Sequence, residues 1–275
     1  MALSRRSALL ALLLAACGRT GPKPKVVAGT TRRKESYGKT SRQHGEWWVP
    51  AADGLLPLVV LVHGGYWRDT YDLTLEDAVA ADLSGRGYLV WNIDYAPSSV
   101  PWPATLTDAA AAYDFAFVGA FASRIDRSRV AVVGHSAGGQ LALWLASRTR
   151  LPAGAPGAGE HVVPALAVPQ APVASFVNAS KLGLGGGAVD ALLGGSPATQ
   201  PAREAVADPL VLVPSGVRTV LVHGVDDAIV PLSQSEDYVA VARDCTLVKV
   251  PGDHFTHLDP TSDACAELLK ALSTL

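Results

Sequence analysis

Gly134-His135-Ser136-Ala137-Gly138 has the spacing of a serine nucleophile held in a tight turn. A serine hydroxyl is a poor nucleophile until a base takes its proton, and the usual base is a histidine oriented by a carboxylate. Beyond Ser136 the chain offers few of either. His223-Gly224-Val225-Asp226-Asp227 supplies one histidine and two adjacent acids. Pro251-Gly252-Asp253-His254-Phe255-Thr256-His257 supplies two more histidines. His161 stands in a stretch rich in Gly and Pro. Attack on a carbonyl also needs N–H donors for the developing oxyanion. His63-Gly64-Gly65-Tyr66-Trp67 is a candidate for that loop, because glycine lets a backbone approach its substrate closely. No Cys/His cluster has zinc-ligand spacing, and serine chemistry of this kind needs no metal or cofactor.

Such residues must be held by regular elements. Leu58–Val62, Tyr88–Ile93, Val130–Val133, Ala165–Val168, Thr219–Val222 and Thr246–Val250 are short apolar runs, the pattern of strands buried on both faces. Helical spacing appears at Leu75–Leu83, Thr105–Phe121, Leu141–Ser147, Ser233–Ala242 and Thr261–Leu272. Strands alternating with helices predict a mostly parallel, doubly wound sheet. Pro172–Pro214 breaks the rhythm with Gly, Pro and Ala, and predicts an insertion or small lid. With 275 residues, 49% of them hydrophobic, the chain is long enough for one large core. Its net charge of −2 gives no electrostatic sign of a nucleic-acid partner.

The strand Val130–Val133, the Gly-x-Ser-x-Gly turn and the helix after it form a nucleophile elbow in sequence. Together with His63–Trp67 upstream, they resemble the α/β-hydrolase superfamily. Within it they resemble the branch that contains kynurenine formamidases, feruloyl-esterase-like enzymes and related carboxylesterases. The longer strings from His63 to Asp72 and from Trp102 to Leu106 are similar to a bacterial group in that branch. The likeness spans residues 44–275 and implies an α/β-hydrolase fold of about eight strands. It also implies the chain order serine, acid, histidine. The family's acid lies four residues before a proline, which selects Asp227 ahead of Pro231, with Asp226 as the alternative. Its histidine follows the last strand in a Gly-x-His-Phe loop, which selects His254. His257 is expected at the surface or in a pocket wall, and is the alternative base. His223 is expected in a structural hydrogen bond. The resemblance assigns the oxyanion hole to the N–H groups of Ala137, Gly65 and Tyr66. Trp67 and Trp102 are expected either in a substrate pocket or in the adjoining core, and Trp144 in the core. The implied activity is hydrolysis of a small-molecule ester, with arylformamidase as the amide alternative. A surface-anchored binding protein on an inactive hydrolase fold is the alternative of another class.

The first residues have a different character. Met1–Arg6 carries two arginines and no acid, and Ala8–Ala16 is an unbroken apolar run. That run is shorter than the about 20 residues of a membrane span. A basic start, a short apolar centre and small residues describe an export signal over residues 1–16. Leu14-Ala15-Ala16-Cys17 resembles a bacterial lipobox, which implies lipidation of Cys17 and a membrane-anchored protein facing outside the cytoplasm. A plain secretory signal is the alternative. Ser4-Arg5-Arg6 resembles part of a twin-arginine signal, so Tat export is a second route. Residues 17–43, polar and basic, are expected to form a flexible tether. Cys245 and Cys265 are then left either to pair or, as preferred here, to stay buried as thiols.

Overall fold

The computed structural model describes residues 29–275. The expected export signal and Cys17 lie outside these residues. Eight strands form one sheet: β1 (Thr31–Ser36), β2 (His44–Val49), β3 (Leu56–Val62), β4 (Leu89–Ile93), β5 (Ile125–His135), β6 (Leu166–Gln170), β7 (Arg218–Gly224) and β8 (Cys245–Val250). Their spatial order is β1-β2-β4-β3-β5-β6-β7-β8. β1 with β2 and β2 with β4 pair antiparallel, and every other pair is parallel.

Side chains along a strand alternate between the two faces of a sheet. In β3 this sends Val59 and Leu61 to one layer, and Leu58, Val60 and Val62 to the other. The first layer is covered by α1 (Asp77–Gly85) and α8 (Asp263–Leu272). The second is covered by α2 (Ala104–Phe115) and α3 (Ala137–Ala146). Both faces of the central strands are therefore dry, which is why they read as continuous apolar runs. The helix expected to reach residue 121 stops at Phe115, where the Gly119 N–H turns back to the Phe115 carbonyl (2.8 Å).

The N-terminal boundary differs from the sequence expectation. Residues 31–36, expected in the tether, form β1 instead. This edge strand is solvent-exposed along nearly its whole length, so it carries no apolar alternation to read. Polar and charged side chains fasten it. Arg32 pairs with Glu46 and Asp77 and lies 4.5 Å from the Trp48 ring centroid. Glu35 accepts the Trp47 indole N–H at 2.8 Å.

The insertion after β6 holds three short helices, α4 (Phe176–Lys181), α5 (Ala188–Leu193) and α6 (Pro201–Ala207), before α7 (Ser233–Val241) resumes the alternation beyond β7. Asp208 closes its base by accepting the N–H groups of Phe176 (2.8 Å) and Leu210 (2.9 Å). Cys245 in β8 and Cys265 in α8 are both unpaired, and burial pushes each thiol up to about 12.

Candidate active site

Ser136 occupies the single residue between β5 and α3, with φ 58° and ψ −118°. A left-handed φ at a residue with a side chain costs energy and clusters at functional sites. The two glycines make the turn possible. A Cβ on Gly134 would lie 2.2 Å from the Gly138 carbonyl oxygen, and one on Gly138 would lie 2.0 Å from the Val62 oxygen. Strand, turn and helix thus cross at distances only glycine tolerates. The Ser136 N–H is taken by the Gln170 carbonyl at 2.8 Å, which fixes the turn against β6. Ala137 opens α3, where backbone N–H groups lack intrahelical partners and the helix dipole is positive.

Asp227 and His254 come from the loops after β7 and β8. Asp227 Oδ2 accepts His254 Nδ1–H at 2.6 Å, and the Asp227 side chain is fully buried. Asp227 Oδ1 accepts the N–H groups of Ile229 (2.8 Å) and Val230 (2.9 Å). Burial alone would raise this carboxyl. The hydrogen bonds of His223 and His254 outweigh it and hold the group well below the usual carboxylate range. His223, wholly buried, places Nε2 3.4 Å from Asp227 Oδ2 and 3.0 Å from the Val230 oxygen. Its Nδ1 lies 2.7 Å from Ser235 Oγ, so the Ser235 hydroxyl donates and Nε2 keeps its proton toward Asp227. Asp226 is exposed and contacts the site only through its backbone.

Two further imidazoles, His135 and His257, pack near His254. His135 Nε2–H donates to the His254 carbonyl at 2.8 Å, so the residue before the serine holds the loop after β8. Burial and the nearby His254 keep the His135 imidazole neutral, well below its ordinary value. His257, expected at the surface or in a pocket wall, is fully buried instead, with its ring centroid 5.6 Å from that of His135. Burial, then the neighbouring His254 and His223, push it down to about 3. It sits in a one-turn helix, Thr256–Leu258, ahead of α8.

The loop after β3 faces the serine. Gly65 (φ 111°), Tyr66 (φ 53°) and Trp67 (φ 54°) are successive left-handed residues. A Cβ on Gly65 would lie 2.4 Å from the Tyr71 ring. The loop is pinned by the Ser98 N–H on the Trp67 carbonyl (2.7 Å) and by the Tyr66 hydroxyl on the Ile229 carbonyl (3.0 Å). His63 bridges the Gly64 carbonyl (2.7 Å) and Asp94 (3.1 Å) at its base.

One cavity gathers these groups. Gly65, Tyr66, His135, Ser136 and His254 form its polar side. Tyr71, Leu75, Ile229, Phe255 and Leu258 form apolar walls that the sequence did not single out. Tyr71 and Leu75 follow the glycine pair, and Phe255 and Leu258 follow the histidine, so proximity in sequence was the available signal. Among the described residues, no hydrogen bond closes between Ser136 Oγ and His254. Trp67 and Trp102 lie off this cavity. Trp67 is buried edge-on against Phe176 (5.9 Å), and Trp102 packs on the core beneath Arg203 (5.8 Å). Trp144 is fully buried and donates to the Val206 carbonyl (2.8 Å).

Residues 48–241 match the BD-FAE family model. The chain belongs to the BD-FAE family. This BD-FAE protein, a member of the α/β-hydrolase superfamily, is 38% identical over 118 residues to carboxylesterase NlhH of Mycobacterium tuberculosis. That match covers 40% of this chain and 35% of the relative, so the chain spans about a third of the curated relatives it matches. In fold it is similar to a truncated carbohydrate esterase from gut microbiota, with TM-score 0.79, 18% identity, and coverage of 92% of this chain and 99% of that one. It is also similar to esterase B from Lactobacillus rhamnosis, with TM-score 0.79, 20% identity, and coverage of 98% and 92%.

Proposed function

We propose that this protein is a serine hydrolase acting on small carboxylic esters through Ser136, His254 and Asp227. The observation that carries the reading is a buried Asp227–His254 hydrogen bond of 2.6 Å, with His254 bordering the cavity that Ser136 borders from its elbow. His254 Nε2 takes the hydroxyl proton as Ser136 Oγ attacks the carbonyl carbon. The carbonyl oxygen becomes an oxyanion facing the N–H groups of Ala137, Gly65 and Tyr66. His254 then gives the proton to the departing alcohol oxygen, leaving an acyl-serine. Water, deprotonated by His254, attacks the acyl carbon, and the proton returns to Ser136. Asp227 accepts Nδ1–H throughout, which keeps Nε2 free to act as the base.

Replacing Ser136 with alanine is expected to abolish p-nitrophenyl acetate turnover and fluorophosphonate labelling. Full activity in a folded S136A protein would overturn the assignment. Unlabelled wild-type protein would instead favour an inactive binding protein, and faster turnover of N-formylkynurenine than of any ester would favour an arylformamidase. The N-terminal sequence supports a second proposal, anchorage outside the cytoplasm through lipidated Cys17. Cys17→Ser should then release the protein from the membrane fraction.

A further inference from the structure

Independently of the esterase reading, we infer that the loop joining α2 to β5, with the edge strand β1 beside it, is a docking face for an anionic phospholipid bilayer. The loop Ala116-Phe117-Val118-Gly119-Ala120-Phe121-Ala122 holds seven uncharged residues in a row. Val118 is 78% exposed, the most of any large hydrophobic residue among those described. Leu55, 59% exposed, lies in the turn before β3, which Arg124 ties to the loop through the Ala52 carbonyl. Single exposed apolar residues are ordinary on a protein surface. What sets this loop apart is the cations that frame it.

The Arg33 guanidinium lies 5.8 Å from the Phe121 ring centroid. That of Arg127 lies 5.5 Å from the Phe117 centroid and donates to the Phe117 carbonyl at 3.2 Å. Both arginines are exposed. Their neighbours Arg32 and Arg129 have carboxylate partners, whereas Arg33 and Arg127 have none among the described residues. Glu35, the acid that reaches the loop, is already engaged by the Trp47 indole N–H (2.8 Å) and the Ala120 N–H (3.1 Å). The turn before β3 adds one exposed acid, Asp53. Uncompensated guanidinium groups thus stand beside exposed apolar side chains, the composition that settles into a headgroup layer.

Charge along the chain points the same way. Residues 18–42 hold eight Lys and Arg and one acid, whereas residues 43–275 hold 13 Lys and Arg against 24 Asp and Glu. Three of those 13, Arg124, Arg127 and Arg129, fall within six residues. An anionic surface attracts this edge and repels the remainder of the domain, which sets an orientation as well as a contact. The orientation suits an enzyme. Ile125, where the loop ends, pairs with Leu56, and Gly134 in the elbow pairs with Val62. The six steps of β3 between Leu56 and Val62 put about 20 Å between loop and elbow. A chain docked by this loop keeps Ser136 away from the lipid.

The test is co-sedimentation of the full Cys17→Ser chain, which carries no lipid at that residue, with two kinds of vesicle. One is phosphatidylglycerol and phosphatidylcholine in equal parts, the other phosphatidylcholine alone. The parent should bind the mixed vesicles more tightly and leave them at about 1 M salt, where the Debye length is about 3 Å. Each Lys or Arg at an anionic surface strengthens binding roughly fivefold. Arg33→Gln with Arg127→Gln should therefore weaken binding to the mixed vesicles roughly 25-fold and leave binding to phosphatidylcholine unchanged. Val118→Asp should weaken it at least about fivefold, by losing an apolar contact and adding an anion. Both variants should keep the parent's Tm and p-nitrophenyl acetate turnover. Residues 1–16 are common to every chain compared, so their own affinity for lipid cancels. Equal binding of the parent to both vesicles, or undiminished binding by both variants, would overturn the proposal. A Val118→Asp chain that changes oligomeric state yet still binds the mixed vesicles would assign the loop to contact between copies, and would overturn it too. A parent that binds lipid but turns over no ester would remove the esterase reading alone.

Discussion

Asp227→Asn is the most demanding test of the proposed triad, because the surroundings dictate which way the amide must face. Oδ1 receives two backbone N–H groups, from Ile229 and Val230 at 2.8 and 2.9 Å. An amide NH2 cannot sit there without opposing both. The asparagine oxygen therefore takes the Oδ1 position, and its NH2 takes the position of Oδ2. There it faces His254 Nδ1 at a separation of about 2.6 Å in the wild type. A donor at that point forces Nδ1 to become the acceptor, so the ring proton moves to Nε2. His254 then points N–H at Ser136 and cannot take its proton. The same NH2 also opposes His223 Nε2–H, which lies 3.4 Å from Oδ2. A wrong tautomer at a serine triad lowers kcat by about 10⁴, or about 5 kcal/mol at ~1.36 kcal/mol per factor of ten. The assay is steady-state p-nitrophenyl acetate hydrolysis, with folding checked by thermal melting. Exposed Asp226→Asn is the control and should stay within about twofold. A folded Asp227→Asn protein within tenfold of wild type would refute the assigned acid.

Three other outcomes follow from the geometry. Gly65→Ala should lower kcat by roughly 10²–10³, the value of one oxyanion donor, since its Cβ would press on the Tyr71 ring; unchanged kcat in a folded variant would exclude that loop. Glu76 is fully buried with neither carboxylate oxygen hydrogen-bonded among the described residues, and burial pushes it up to about 8. A carboxyl raised in the folded state holds its proton longer there than in the unfolded chain, so stability declines as pH rises from about 4.5 toward 8. Glu76→Gln should therefore raise the Tm at pH 8 and leave it nearly unchanged at pH 4, read by calorimetry at both values. Truncation before residue 30 should preserve the Tm of the domain, whereas truncation to residue 40 should lower it by removing β1 and the Arg32–Trp48 contact. Equal melting of the two would show that β1 contributes nothing.

What the sequence discloses follows from how each feature is enforced. The elbow is legible because crossing backbones leave no alternative to Gly134 and Gly138. The central strands are legible because burial on both faces demands unbroken apolar residues. β1 has no such signature, since Arg32 and Glu35 fasten it through charge and hydrogen bonds rather than apolar packing. The burial of His257 comes with one short helical turn, Thr256–Leu258, a placement no local residue pattern encodes. The cavity walls are hidden for the same reason. Leu75 and Leu258 become neighbours of Ser136 only after the sheet has gathered the loops of three distant strands.

The Tyr66 hydroxyl on the Ile229 carbonyl has a further consequence, for how such a site is altered. It splices the Gly65–Trp67 loop to the segment bearing Asp227, although more than 150 residues of chain lie between them. The two loops are fastened to each other. A donor loop grafted from a relative without a residue able to reach position 229 would arrive unbuttressed, even with its glycines intact. Recombination or design at this site should exchange both loops together or neither.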